Sequence, residues 1–132
     1  PLVTRDCMLP LILTLIAAEG GTVSQRVAQE PPVVTMADRL QEVPQERSQP
    51  FVARLADSTE ARAAFLAQLG GTEAGTDLTD GVRMTLTDGR IVHVRPSGNA
   101  PELRLYVEAS DKAGAEALMA AGLAALREAV SG

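Results

Sequence analysis

Apolar and polar residues alternate along the middle of the chain. Val82, Met84 and Leu86 interleave with Arg83, Thr85 and Thr87, the two-residue period of a half-buried strand. Asp88-Gly89 is a hairpin signal, and a return strand follows over Ile91–Arg95. A two-residue turn would set Met84 opposite His93. A three-residue turn, Thr87-Asp88-Gly89, sets Val82 opposite Val94 and Met84 opposite Val92. The second gathers the aliphatics on one face and is the preferred register, leaving Ile91, His93 and Arg95 on the other face. A further strand reads Leu103, Leu105, Val107 against Arg104, Tyr106 and Glu108. Asp77–Thr79 reads as a short strand start broken by Asp80-Gly81.

Helical spacing dominates elsewhere. Leu118, Met119, Leu123, Leu126 and Val130 form one apolar stripe after a cap at Ser110 or Asp111. Ala61, Phe65, Leu66 and Leu69 form another, opened by an Asp57–Glu60 capping box and stopped by Gly70-Gly71. Gln45–Leu55 is expected to be helical, and Arg39–Val43 to be a strand ended by Pro44. Near the start, Thr4 is expected to cap a helix carrying Leu11, Ile12, Leu15 and Ile16, with a kink or break at Pro10. Ser24 is expected to cap a second short helix that stops at Pro31-Pro32. The first helix is apolar nearly all round and needs cover on several sides. Residues 1 to about 30 therefore read as part of a neighbouring domain, and Pro1 in place of Met reads as a processed or excised piece.

Composition narrows the chemistry. The 132 residues suffice for one small domain and a peripheral segment. With aromatics at 2% and no Trp, the core must be Ala, Leu and Val. A net charge of −5 argues against a large nucleic-acid footprint, which needs a basic face. The single Cys7 excludes an intrachain disulfide and a Cys-based zinc cluster, and the lone His93 cannot build a His-rich metal site. The apolar run Cys7–Ala18 lacks a basic n-region and is too short to span a bilayer. These counts fit a cytoplasmic protein with no membrane partner.

One connection carries the candidate chemistry: Arg95-Pro96-Ser97-Gly98-Asn99-Ala100-Pro101-Glu102-Leu103-Arg104. Ser97 offers a hydroxyl and Asn99 an amide. Gly98 lets backbone N–H groups turn inward as an anion nest. Pro96 and Pro101 stiffen the flanks, and two arginine forks suit a phosphate dianion. From spacing alone, an ordinary Ser-Gly-Asn turn between strands fits as well. Among neighbouring residues, His93 shares a strand face with Arg95, and Tyr106 and Glu108 share one with Arg104. Tyr106 and Glu108 are candidates to anchor Arg104, with a plain solvated face as the alternative. Glu102 is a candidate ion-pair partner for an arginine.

The run Arg95–Ala109 resembles the last signature of the α-D-phosphohexomutases, usually written Arg-x-Ser-Gly-Thr-Glu-Pro before a Tyr-Val-Glu-Ala-like strand. Asp80-Gly81-Val82, the Asp88-Gly89 hairpin and Asp38–Pro44 are similar to that family too. The resemblance implies an α+β fold: a TATA-binding-protein-like antiparallel sheet with helices on one face, preceded by a helical segment of the neighbouring domain. It implies 1–37 as the end of a third mutase domain with its linker, and 38–132 as the C-terminal phosphate-binding domain. It implies an enzyme interconverting hexose 1-phosphate and 6-phosphate (mannose or glucose) through a phosphoserine, with magnesium. Arg95, Ser97, Gly98 and Asn99 would contact the phosphate that is not transferred. Arg104 and His93 are candidates to support them from the neighbouring strand positions, with a local strand hydrogen bond as the alternative for His93. Asn99 stands where Thr is usual and Ala100 where Glu is usual, a form similar to the bacterial phosphomannomutase branch. No phosphoserine loop, Asp-x-Asp-x-Asp metal run or sugar loop is present in the sequence. The chain is therefore expected to need the remaining mutase domains, to bind no magnesium and to be inactive alone. The alternative is a free-standing anion-binding or protein-interaction module.

Overall fold

The computed structural model describes residues 7–131. They form two compact units, one ending at Pro32 and one beginning at Val33. In the first, α1 (Met8–Ala17) and α2 (Val23–Val27) are joined through Glu19 and Gly20, both with positive φ. No residue of α1 is buried, and Leu9, Leu11, Leu13, Leu15 and Ile16 are all more than half exposed. Thr4 and Arg5 lie outside the described residues. Pro10 does not break α1, which runs through it. It sits in the first turn, where the missing N–H has no intrahelical partner to lose. The cap of α2 is Thr22, not Ser24. The Thr22 hydroxyl accepts from Gln25 N at 3.2 Å, while Gln25 Oε1 accepts from Thr22 N at 2.8 Å.

The second unit is α+β. A five-stranded antiparallel sheet has the order β1-β5-β4-β3-β2, from β1 (Val34–Gln41), β2 (Glu73–Asp77), β3 (Val82–Leu86), β4 (Ile91–Pro96) and β5 (Glu102–Ala109). Helices α3 (Gln45–Asp57), α4 (Thr59–Gln68) and α5 (Lys112–Ser131) cover one face. The preferred hairpin register is the observed one: Val82 faces Val94 and Met84 faces Val92. Leu86 N donates to Arg90 O at 2.8 Å, closing the three-residue turn. Strand alternation then separates a fully buried face (Val82, Met84, Val92, Val94, Leu103, Leu105, Val107) from an open one (Arg83, His93, Arg95, Arg104, Tyr106, Glu108).

Three expectations for the sheet unit need correction. β1 starts at Val34 rather than Arg39, pairing along its length with β5. The strand placed at Asp77–Thr79 instead runs Glu73–Asp77, with a register shift between Glu73 and Gly75. Its weak apolar content hid it, because it is an edge strand with little to bury. The cap of α4 is Ser58, whose hydroxyl accepts from Ala61 N at 3.1 Å and donates to Glu60 Oε2 at 2.9 Å. Asp57 is the last residue of α3, so it is not free to cap.

Helix packing is close. A Cβ on Gly122 of α5 would stand 2.6 Å from Leu105 Cδ2, so the absence of a side chain lets α5 settle onto β5. Phe51 and Phe65 join α3 to α4 edge to face, with centroids 6.0 Å apart. Arg62 ties three elements together. Its Nε meets both oxygens of Glu73 on β2 at 3.0 and 2.9 Å, and its Nη1 caps Leu55 O and Ala56 O at the end of α3. The pair is largely shielded, and the Arg62 hydrogen bonds hold the Glu73 carboxyl below its ordinary value of 4.5.

Candidate functional site

The candidate loop joins β4 to β5 at one end of the sheet. Two bonds shape it. Ser97 N donates to Glu102 O at 2.9 Å, and Glu102 N donates to Ala100 O at 2.8 Å. A third bond ties it to the exit of β1, where Val43 N donates to Pro101 O at 2.9 Å. The residue before Val43, Glu42, has φ 59°, uncommon for a side chain other than Gly or Asn. The loop and the strained exit of β1 are thus bonded directly.

Arg95, Ser97, Gly98 and Asn99 lie within five consecutive positions. The Arg95 side chain is about one-third exposed and pairs through Nη1 with Asp80 Oδ2. Its other guanidinium donors have no partner among the described residues. Ser97 is 4% exposed, and its hydroxyl accepts a long bond from Asn99 N at 3.5 Å. The hydroxyl proton is therefore still available to donate. The Gly98 N–H also has no partner among the described residues. Gly98 does not have positive φ, and a Cβ there would meet nothing within 4 Å. The bend expected at Gly98 is present, running on to Pro101, and it needs no left-handed angle at the glycine.

The two supporting residues are placed differently from each other. Arg104 is the cross-strand partner of Arg95, and Arg39 is the partner of Arg104 on the other side. Three guanidinium groups therefore run in line across β4, β5 and β1. Glu102 separates two of them: Oε1 lies 3.2 Å from Arg39 Nε and Oε2 lies 3.5 Å from Arg104 Nη2. Its side chain is only 17% exposed, more sheltered than an ordinary surface pair. His93 bonds the Asp80 carbonyl oxygen through Nε2, and its ring stacks on Tyr106 with centroids 5.4 Å apart. Tyr106 thus turns to His93, and Glu108 turns to Arg83 at 3.6 Å. Neither anchors Arg104, which uses Glu102.

Sequence reasoning missed Asp80 and Arg39 as neighbours of this site. A signal for Asp80 was present. Carrying the Val82–Val94 register one step further sets Gly81 beside Arg95, with Asp80 next in line. Arg39 had no local signal, because its place depends on β1 pairing with a strand some sixty residues away.

The family description "Phosphoglucomutase/phosphomannomutase, C-terminal domain" matches residues 25–125, which include the hairpin, the loop and most of α5. The chain belongs to the phosphoglucomutase/phosphomannomutase family. It is 48% identical over 125 residues to a phosphomannomutase of Sinorhizobium fredii, covering 93% of this chain and 26% of that protein. It is 36% identical over 113 residues to a phosphomannomutase of Salmonella muenchen, covering 83% of this chain and 23% of that one. The chain spans about a quarter of the length of these curated relatives. The expected antiparallel sheet with helices on one face is the C-terminal fold of this family.

Among the described residues no three His, Cys, Asp or Glu side chains are grouped to hold a metal ion. The described residues thus offer no such group for the magnesium that the family resemblance implies. No helix among them is long and apolar enough to cross a membrane.

Proposed function

We propose that this chain is the phosphate-gripping portion of a phosphohexomutase acting on mannose or glucose phosphates. Mannose phosphate is favoured because both relatives are phosphomannomutases. The observation that carries the reading is the loop itself. A part-free Arg95 guanidinium, an uncovered Gly98 N–H, the Ser97 hydroxyl and the Asn99 amide all lie in one short connection. Opposite Arg95 stands a second arginine, Arg104. A dianion at the loop would gain charge-assisted hydrogen bonds and relieve the repulsion between these cations.

The role follows from differential binding. A mutase handles a sugar with two ends, and only one end reacts at a time. Residues 95–99 hold the phosphate that is not being transferred, and so orient the reacting end held by other domains. Residues ahead of the sheet unit are read as the end of the preceding domain. Closure of this unit over the substrate excludes water. Magnesium and the phosphoserine belong to the rest of a cytoplasmic enzyme. This chain supplies positioning only and has no turnover alone.

An amide NMR titration tests the grip. Mannose 1-phosphate and inorganic phosphate are each expected to shift Ser97, Gly98 and Asn99 saturably, mannose to shift none, and Arg95→Ala to abolish the response. Equal shifts with mannose, or persistence in Arg95→Ala, would sink the reading.

A further inference from the structure

We propose that Asp80 is the positioning residue for Arg95: its carboxylate holds one edge of the guanidinium and so aims the remaining donors at the phosphate. The inference rests on reading residues 95–99 as the phosphate seat.

Asp80 is delivered to Arg95 by a fixed backbone approach. Gly81 has φ +80°, and a Cβ there would stand 2.5 Å from Val94 O and 2.7 Å from Arg95 Cβ. The Asp80-Gly81 turn therefore lies against the base of the Arg95 side chain, where only glycine fits. His93 fixes the same turn by bonding the Asp80 carbonyl oxygen. A carbonyl oxygen only accepts, so His93 Nε2 carries hydrogen and holds the turn whether the ring is neutral or charged. Stacking on Tyr106 fixes the ring in turn. Tyr106, His93, Asp80 and Arg95 form one continuous path across the open face.

Asp80 uses one guanidinium nitrogen, Nη1. Nε and Nη2 stay available for a second anion, so holding Arg95 need not cost it the phosphate. A competing role for Asp80 would rest on repulsion of the dianion. The Asp80 side chain is 64% exposed, so water and salt screen that repulsion. The Asp80–Arg95 bond is a direct hydrogen-bonded contact, which screening weakens less than a repulsion acting across the width of the guanidinium. Positioning should therefore outweigh competition.

The sign of one variant decides. In the same titration with inorganic phosphate, Asp80→Asn is expected to weaken binding about three- to tenfold, the cost of immobilising one long side chain at the moment of binding. The Arg95 side-chain Nε–H resonance, distinct in the wild type, is expected to merge with those of mobile arginines while the sheet amides keep their shifts. His93→Ala is expected to act in the same direction, and His93→Gln to restore binding by donating an amide hydrogen to the Asp80 carbonyl. Should Asp80→Asn fail to fold, this His93 pair carries the test. Binding in Asp80→Asn equal to or tighter than wild type overturns the inference and makes Asp80 a bystander or a competitor. Failure of the seat itself shows separately, as absent binding in the wild type or unchanged binding in Arg95→Ala, and it removes the inference as well.

Discussion

Arg95 and Arg104 stand directly opposite each other on adjacent antiparallel strands, two like charges on the open face of the sheet. Such a pair is unfavourable alone. Each cation is met by its own carboxylate, Asp80 for Arg95 and Glu102 for Arg104. Glu102 also meets Arg39, so one carboxylate stands between two cations. A local conflict kept in place by nearby compensation is what a binding site, rather than a purely structural surface, is expected to show.

Glu102→Gln is expected to lower stability by about 1 kcal/mol, the upper end for a partly exposed ion pair, because two arginines lose their shared partner. Adding Arg104→Gln should recover part of that loss. A double-mutant cycle of thermal melts at low and high salt checks both points. Simple additivity of the two changes would mean that Glu102 and Arg104 are not coupled.

Gly81 and Gly89 both have positive φ, at 80° and 86°, but only Gly81 is crowded. Gly89→Ala should cost about 1–2 kcal/mol from backbone strain alone. Gly81→Ala should cost clearly more, because its Cβ meets backbone that cannot give way. It should also disturb Arg95, whereas Gly89→Ala should leave phosphate binding intact. Equal losses from the two changes would contradict the close approach of the Asp80-Gly81 turn to β4.

Glu73 sets an acid limit on stability. Its hydrogen bonds from Arg62, with a smaller one from Thr76, depress its pKa below 4.5. The folded state then binds fewer protons here than the unfolded chain. The stabilisation is therefore complete above that value and is lost as pH falls through the lower, folded one. Glu73→Gln should destabilise the chain by about 2 kcal/mol at neutral pH, the scale of hydrogen bonds to a charged group. The variant and wild type should draw together as pH falls below 4.5 and through the lower, folded value. Melting curves that stay equally separated from neutral to acid pH would refute the assignment.

Much of the sheet was legible because strand alternation is local and strict. The hairpin register followed from asking which turn length collects Val82, Met84, Val92 and Val94 on one face, and the structure has that register. β2 escaped because Glu73, Gly75 and Asp77 offer no apolar alternation, and its place is set by pairing with β3. The caps went astray by one or two residues at Ser58 and Thr22, where neighbouring side chains compete to accept the same N–H groups. The loop Arg95–Arg104 stood out in the sequence, but its partners Asp80 and Arg39 depend on register between distant segments.

Ser97 allows the fold and the site to be separated. Its backbone N–H donates to Glu102 O at 2.9 Å and survives any side-chain change. Its hydroxyl makes only the long 3.5 Å contact with Asn99 N. Ser97→Ala should therefore cost less than about 1 kcal/mol of stability, the scale of one weak neutral bond. Ser97 as a residue is only 4% exposed, so binding requires the loop to present its hydroxyl to the anion. A bond from that hydroxyl to a phosphate dianion is charge-assisted, so its loss should weaken phosphate binding about tenfold or more. Parallel melts and phosphate titrations of Ser97→Ala measure the two effects. A large stability loss with unchanged affinity would make Ser97 a structural residue of the turn, and the phosphate would then have to be held by Arg95, Gly98 and Asn99 alone.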